Sequence, residues 1–331
     1  MARRPQRVLV LGATGQLGQA VLRQALSIGD EVTALTRRTD PPELRGLGVN
    51  VVRMDEGLTS LAGAAAGHDV IVDAAAPYPL DLGVPGSDYW QTQVNAAVCH
   101  IERVIEAARR HGLRLAFASS CATLPRRESP VSAAEALWRR SISPYFEVKT
   151  AMENAVLAAA RAGLPAVIVN PAVFLGPWEF RDEQMSIVRL VLAGRLPVVM
   201  DRTICVVDVR DVAAAIDRAL SHELFGRPVP LAGHNVTLQD LVSRTAWLAG
   251  MPAAPPWAVD SGMLAAGAFW SYAAFAAFGV RPPEYLSFIP LIPDVPAMEP
   301  SPEQIELGVR IRPLEETLRD SIAFHRERLT A

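Results

Sequence analysis

Short, almost continuously apolar runs alternate with helical patterns through the first two-thirds of this chain of 331 residues. The runs do not alternate between apolar and polar residues, which indicates strands that are covered on both faces. A strand, a helix and a further strand, repeated in this way, predict an α/β fold with a parallel, doubly wound sheet. Strands are predicted at 7–11, 31–36, 49–54, 69–74, 113–119, 165–170 and 227–232, and helices at 16–28, 91–111, 145–162 and 209–221.

The texture of the sequence changes after residue 232, where proline-rich joints separate the remaining segments. These segments predict helices at 237–249, 257–279 and 313–328. A smaller, mostly helical C-terminal lobe carried on the sheet is the simplest arrangement, and residues 172–203 are expected to contribute to it.

Charge and cysteine usage narrow the class of protein. The 32 Lys and Arg and 35 Asp and Glu give a net charge of −3, and no basic block is present, so nucleic acid is disfavoured as a partner. Cys99, Cys121 and Cys205 have neither disulfide nor metal-ligand spacing, which favours a reduced, cytoplasmic setting and predicts no metal site. The apolar run at the start breaks at Gly12, too early for a signal peptide, and is interpreted as the first strand.

A glycine-rich loop, with Gly12, Gly15 and Gly18, joins the first strand to the first helix. Glycine allows a tight turn and a close approach of backbone to a pyrophosphate, and the helix N-terminus offers unpaired N–H groups. The spacing alone could describe only a turn, but its place between a strand and a helix at the head of the series predicts dinucleotide binding. The loop residues Thr14, Gln16 and Leu17 are expected to contribute.

The second predicted strand is followed by Arg37 and Arg38 rather than by an acidic residue. A carboxylate there would bind the ribose 2′-hydroxyl of NAD, whereas arginine accommodates the 2′-phosphate of NADP. The pair therefore favours NADP(H) over NAD(H), although two solvated arginines would give the same pattern. Asp55, after the third strand, is a candidate adenine contact or a surface loop residue.

Lys149 is the only lysine of the chain, and it follows Tyr145 by one helical turn. A phenol has an ordinary pKa of about 10, and an ammonium held close to it lowers that pKa. Positions four apart share a helix face, so the two side chains can meet. A compact ammonium can also bind both hydroxyls of a nicotinamide ribose, where a planar guanidinium fits poorly. An exposed lysine beside a buried tyrosine is the alternative.

The sequence resembles the extended short-chain dehydrogenase/reductases, with a texture closest to the branch of dihydroflavonol reductases and 3β-hydroxysteroid dehydrogenases. The resemblance covers nearly the whole chain, with departures at Leu11 and Cys121. It rests on the glycine loop, "DVIVDAAAPY" at 69–78, "VN" at 94–95, "FASSCATL" at 117–124, "YFEVK" at 145–149, "NPAVFLGP" at 170–177 and "VDVRDVA" at 207–213.

This resemblance implies a Rossmann-type domain and a role for each matching position. Tyr145 would be the general acid/base at the substrate oxygen, and Lys149 would tune it and hold the ribose. Ser120 would hydrogen-bond the same oxygen, with its neighbour Ser119 as the less favoured choice. Asn95 would support the site from the neighbouring helix. Ala75, Ala76 and Pro171 would line the cofactor cleft. Residues 1–171 and 204–232 would form the NADP-binding domain, and 172–203 and 233–331 the substrate-binding lobe.

An uncharged, aromatic-rich stretch runs from 261 to 280. By length it could cross a bilayer, but its many Ala and Gly residues and the prolines after it favour a lid over an apolar substrate. A lobe core and a peripheral membrane contact stay open. The candidate substrate contacts are Tyr78, Val173, Trp178, Phe269 and Trp270.

The leading interpretation is an NADP(H)-dependent reductase of a ketone on a sizeable apolar molecule. The alternatives are a nucleotide-sugar epimerase or dehydratase with tightly held NAD, and a non-catalytic NAD(P)-binding sensor. Many relatives of this kind form homodimers, and such a dimer is expected through the helices at 91–111 and 145–162.

Overall fold

The computed structural model describes residues 4–55, 57–75, 87–124, 144–180, 186–196, 198–251, 256–260, 270–271, 274–275, 278 and 297–330. The strands are β1 Arg7–Leu11, β2 Glu31–Thr36, β3 Asn50–Arg53, β4 Val70–Asp73, β5 Arg114–Ala118, β6 Ala166–Pro171, β7 Val173–Leu175, β8 Val198–Met200, β9 Thr203–Asp208, β10 Pro228–Leu231, β11 His234–Thr237 and β12 Trp257–Val259. The helices are α1 Gln16–Ser27, α2 Leu61–Ala65, α3 Asp88–His111, α4 Tyr145–Arg161, α5 Ile187–Leu192, α6 Val209–Ser221, α7 Leu238–Leu248, α8 Pro302–Leu307 and α9 Leu314–Thr330.

Seven of these strands form one parallel sheet in the order β10-β6-β5-β4-β1-β2-β3. They are the seven strands predicted from the sequence, with ends that agree within one residue. The chain builds outwards from β1 to β2 and β3, then returns to the other side of β1 with β4. This reversal between β1 and β4 is a topological switch point, where the carboxyl ends of strands open a crevice for ligands. The predicted α/β, Rossmann-type fold is confirmed.

Five of the seven main strands, β1, β2, β4, β5 and β6, contribute side chains to two separate cores. In β1, Val8 and Val10 pack into a core with α1 and α6, while Leu9 and Leu11 pack into a second core with α3 and α4. Successive side chains of a strand point to opposite faces, so a strand covered on both faces needs apolar residues at every position. This requirement explains the continuous apolar runs.

The remaining described strands lie outside the main sheet. Strands β11, β9 and β7 form a three-stranded sheet, and β12 pairs with β8. The helix predicted at 257–279 is wrong at its start, because Trp257–Val259 form a strand against Val198–Met200, and most of its remaining residues lie outside the described part. Helix α3 begins three residues earlier than predicted, because the Ser87 side chain caps it by accepting from Trp90 N.

Two side-chain amides attach the C-terminal part of the chain to these sheets. Asn235 exchanges two hydrogen bonds with the backbone of Met298, at 3.2 and 3.0 Å. Gln304 exchanges two with the backbone of Ala232, at 2.8 and 2.9 Å. Each amide matches one donor and one acceptor of the backbone, so the segment that leads into α9 is fixed beside β10 and β11.

The glycine loop packs without space for side chains. Gly12 has a φ of +77°, and a Cβ on it would lie 2.6 Å from the carbonyl oxygen of Ala74. A Cβ on Gly18 would lie 2.0 Å from the carbonyl oxygen of Gly12. Both distances are far inside van der Waals contact, so the start of α1, the loop and the end of β4 come together only because these residues are glycines.

Gly18→Ala should destabilise the fold by about 1–3 kcal/mol, the usual cost of overpacking a tight site. Gly63→Ala is the matched control, since Gly63 also lies in a helix but a Cβ there meets nothing within 4 Å; the better helix propensity of alanine should leave that variant unchanged or slightly more stable. Urea unfolding of both variants gives the comparison. Equal stability of the two would contradict the packing argument.

Candidate active site

The start of α1 can receive a pyrophosphate. Gly15 is its exposed N-cap, in an extended conformation, and no side chain caps the helix there. Gly15 N donates to Gly12 O at 2.9 Å, which closes the turn. Backbone N–H groups at an uncapped helix start attract anions. The close backbone packing at Gly12 and Gly18, together with the uncapped start of α1, fits the binding of a dinucleotide.

The other predicted loop residues turn their side chains into the protein. Gln16 is buried and donates from Nε2 to the carbonyl oxygens of Gly176 and Pro177, at 3.0 and 3.2 Å. Leu17 is part of the core, and Thr14 is half-buried. Gln16 and Leu17 can therefore contribute to a cofactor site only through their backbone.

The two arginines after β2 are exposed. Arg38 Nη1 lies 2.5 Å from Oε1 of Glu43, whose side chain is only 8% exposed. The Arg38 guanidinium is thus held in place by a carboxylate of the following turn. Asp55 accepts from Thr59 N at 3.0 Å, and this hydrogen bond is the main reason why the pKa of its carboxyl lies below the usual value.

Tyr145 and Lys149 lie on the face of α4 that packs against the end of β5. Tyr145 is the first residue of the helix and is 9% exposed, while Lys149 is 7% exposed. Lys149 Nζ donates to Ala118 O at 3.0 Å and lies 5.5 Å from the centre of the Phe117 ring. Ser120 follows β5, and its Oγ accepts from Ala122 N at 3.2 Å. The structure thus places Lys149 and Ser120 where α4 meets the end of β5, with Tyr145 one turn before Lys149 on the same helix.

A buried ion pair between Asp73 and His100 was not predicted from the sequence. Asp73 ends β4 and has no exposed surface, and its Oδ2 lies 2.9 Å from His100 Nε2 of α3. Burial raises the pKa of the Asp73 carboxyl, but His100, the Ala75 N–H group and Lys149 outweigh it and leave that pKa below its usual value. Burial lowers the pKa of His100, but the opposite effect of Asp73 is larger, so the pKa of His100 lies above its ordinary value.

Lys149 also lowers the pKa of both partners, so the ion pair lies within electrostatic reach of the Lys149 ammonium. Sequence reasoning suggested Asn95 as the contribution of this helix, but Asn95 is exposed. The signal that could have found His100 is a titratable residue within the apolar pattern of α3, next to Ile101.

A second unpredicted residue, Glu153, is buried on the same face of α4. Its Oε2 accepts from Thr123 Oγ1 at 2.6 Å, from Asn170 Nδ2 at 2.7 Å and from Ser119 Oγ. The spacing of four residues from Tyr145 to Lys149 and again to Glu153 was visible in the sequence and could have indicated it.

The remaining predicted residues lie in several places. Ala75 touches the glycine loop, since a Cβ on Gly12 would lie 2.9 Å from its Cα, and Pro171 is buried at the end of β6. Val173 is half-buried in β7. The Arg23 guanidinium stacks over the Trp178 ring, with its central carbon 4.5 Å from the centre of that ring. Trp270 is 71% exposed. Ala76, Tyr78 and Phe269 lie outside the described residues.

Cys121, which departs from the expected motif, has an unreactive thiol. Burial raises its pKa to about 12, so the sulfur stays protonated near neutral pH. It follows Ser120 directly, but its thiol is buried and does not act as a nucleophile.

The model of the NAD dependent epimerase/dehydratase family matches residues 8–229, more than half of the chain. The chain therefore belongs to this family, and its resemblance to the extended short-chain dehydrogenase/reductases is confirmed. It is an NAD(P)-dependent enzyme of the reductase and dehydrogenase type.

Individual relatives are distant but extensive. A Synechocystis protein named provisionally as a dihydroflavonol 4-reductase is 28% identical over 74% of this chain and 73% of its own length. Sterol demethylase protein B of Methylococcus capsulatus is 29% identical over 74% of this chain and 75% of its own length. The solved structure of gox2253 superposes with a TM-score of 0.77 at 28% identity and covers 98% of both chains. In the part of the chain that the structure describes, no helix has the length and apolarity needed to cross a membrane.

His100→Gln should lower the free energy of unfolding by up to about 3 kcal/mol, the cost of leaving a buried partner unpaired. The raised pKa of His100 means that the charged imidazole stabilises the fold fully below its unfolded pKa of about 6.5 and less as the pH rises through its folded pKa. The lowered pKa of Asp73 means that its contribution is lost only as the pH falls through that value.

The difference in the free energy of unfolding between wild type and variant should therefore be largest at a pH between the pKa of Asp73 and the pKa of His100, and it should shrink at alkaline pH. Urea unfolding across the pH range measures it. His111→Gln is the control, because His111 lies on the same helix and binds only the carbonyl of Ala62, at 2.7 Å. A difference that does not change with pH would contradict the ion-pair assignment.

Proposed function

We propose that this enzyme uses NADP(H) to reduce a ketone on a sizeable apolar molecule to an alcohol. The observation that carries the proposal is the placement of Ser120, Tyr145 and Lys149 on two elements that meet at the carboxyl edge of the sheet, beside the switch point between β1 and β4. Ligands of open α/β sheets bind in this crevice.

In this proposal the residues of the chain handle a proton and an oxygen. The bound nicotinamide supplies the hydride. Tyr145 donates the phenolic proton to the carbonyl oxygen as negative charge develops there, and Ser120 donates a second hydrogen bond to the same oxygen. Lys149, held by Ala118 O, places a positive charge beside the phenol and favours its ionised form after proton transfer.

The apolar substrate is supported by the names of the relatives, which refer to a dihydroflavonol and to a sterol. It is also supported by the aromatic concentration after residue 256, of which Trp257, Trp270 and Phe278 are more than 70% exposed. We assign 172–203 and 233–331 to the substrate-binding lobe on these grounds. A lid at 257–280, a dimer through α3 and α4, and a cytoplasmic location stay predictions.

The name of the family supports a second candidate, an epimerase or dehydratase that keeps NAD bound through its cycle. Such an enzyme retains its cofactor on purification, whereas a reductase releases it and consumes added NADPH. Mass spectrometry of the denatured, purified protein, together with NADPH absorbance, distinguishes the two.

Tyr145→Phe should reduce turnover by at least about a hundredfold, the low end for the loss of a general acid. The loss of one hydroxyl should leave cofactor binding intact. NADPH absorbance with flavanone, progesterone and cyclohexanone measures turnover, and quenching of protein fluorescence by NADPH serves as the binding control. Near-normal turnover in the variant would rule out the mechanism, and no consumption with any ketone in the wild type would count against the function.

NADPH should be preferred over NADH, and Arg37→Ala should reduce this preference more than it harms the use of NADH. The reason is that a guanidinium after β2 binds the 2′-phosphate, which NADH lacks. Arg45→Ala is the matched control, because Arg45 lies in the same loop and pairs with Asp40 instead. Equal kcat/KM with both cofactors in the wild type would contradict the assignment.

A further inference from the structure

We propose that Glu153 is a positioning residue whose buried carboxylate fixes the turn carrying Ser120 relative to the helix carrying Tyr145 and Lys149. The inference rests on the proposed function, since it assigns Glu153 to the same reaction. Glu153 acts through its neighbours rather than on the substrate.

The three side chains occupy successive turns on one face of α4. Tyr145, Lys149 and Glu153 are spaced four residues apart, so they share that face, and all three are buried. Lys149 holds Ala118 through its carbonyl oxygen, and Glu153 holds the next residue, Ser119, through its hydroxyl. Consecutive residues at the end of β5 are thus attached to consecutive turns of one helix.

The Glu153 carboxylate fixes the turn from both sides of Ser120. Ser119 precedes the catalytic serine and Thr123 follows it, and both donate hydroxyl hydrogens to Oε2 of Glu153. Asn170, at the end of β6, donates to the same oxygen at 2.7 Å. Thr123 Oγ1 also lies 2.8 Å from Ser120 O, and Asn170 Nδ2 lies 3.4 Å from it. The single Thr123 hydroxyl hydrogen is shared between the Glu153 carboxylate and the Ser120 carbonyl oxygen, so the backbone of Ser120 lies against the cluster.

A carboxylate suits this position because it only accepts hydrogen bonds. Three donors, two from the turn after β5 and one from β6, converge on one oxygen, and charge-assisted hydrogen bonds of this kind are about twice as strong as neutral ones. Glutamine has the same shape but places an amide, with less charge on its oxygen and two hydrogens of its own, among those donors. Glu153→Gln should therefore loosen the turn without creating a cavity.

The expected consequence is a loss of turnover rather than of cofactor binding. A displacement of about 1 Å of a catalytic group costs about a hundredfold in rate, and the turn moves Ser120 while Lys149 keeps its own contact with Ala118. A residue that only stabilised the fold would lower the melting temperature and leave kcat of the folded enzyme unchanged.

The experiment compares four forms of the full chain with flavanone and cyclohexanone as probe ketones and NADPH as reductant: wild type, Glu153→Gln, Ser120→Ala and the double variant. Glu153→Gln should lower kcat about 10- to 100-fold, with the Kd for NADPH unchanged within about twofold. In the Ser120→Ala background the same substitution should change kcat less than about threefold, because residues that act through one another are not additive.

Glu147→Gln is the matched control. Glu147 lies on the same helix and accepts from Trp90 Nε1 at 2.6 Å, away from the Ser120 turn. It should retain the wild-type kcat. If Glu153→Gln does not fold, Thr123→Val removes one of the three donors, and it should lower kcat in the same direction.

Three results would overturn the inference alone: a wild-type kcat in Glu153→Gln, an equal fold-loss with and without Ser120, or a loss that appears only in the melting temperature. A wild type that reduces no ketone with either cofactor would overturn the proposed function, and the inference with it.

Discussion

In the part of the chain that the structure describes, the burial of both faces of the central strands leaves only the ends of these strands for chemistry. Residues of β1 enter two different cores, as do those of β4, β5 and β6, so no face of these strands is open to a ligand. What stays accessible is the edge at which the strands end. The glycine loop after β1, the aspartate that ends β4 and the serines after β5 all lie at this carboxyl edge, and each depends on the sheet for its position.

Charge at this edge is organised around Lys149. The Asp73 carboxylate and the His100 imidazole pair at the end of β4, and the Lys149 ammonium lies within electrostatic reach of both. A second buried carboxylate, that of Glu153, lies one turn after Lys149 on α4. Each of these buried groups has polar partners, as the cost of burying an unpaired charge requires. Lys149 thus interacts electrostatically with residues of α3 and β4, and it donates a hydrogen bond to the backbone of β5.

The sequence was most informative where a single periodicity determined the structure. The central strands of the main sheet were predicted because burial on both faces removes polar residues from them. Tyr145 and Lys149 were predicted to share a helix face because they are four residues apart. The pairing of Asp73 with His100 could not be predicted, because its partners come from different elements 27 positions apart. The strand at Trp257–Val259 was taken for a helix, because its partner β8 is distant in sequence and the apolar run alone does not define a period.

The side-chain amides of Asn235 and Gln304, which each make two hydrogen bonds to the backbone, mark the end of one segment of the chain. The segment between Val259 and Met298 begins after a strand that is paired with β8. It ends where Asn235 binds the backbone of Met298, and the contact of Gln304 with Ala232 follows six residues later. Its two ends are thus attached to the scaffold by backbone and amide contacts that do not depend on the residues between them. Both attachments are made by residues outside the segment, so changes of sequence inside it leave the strand pair and the amide contacts in place.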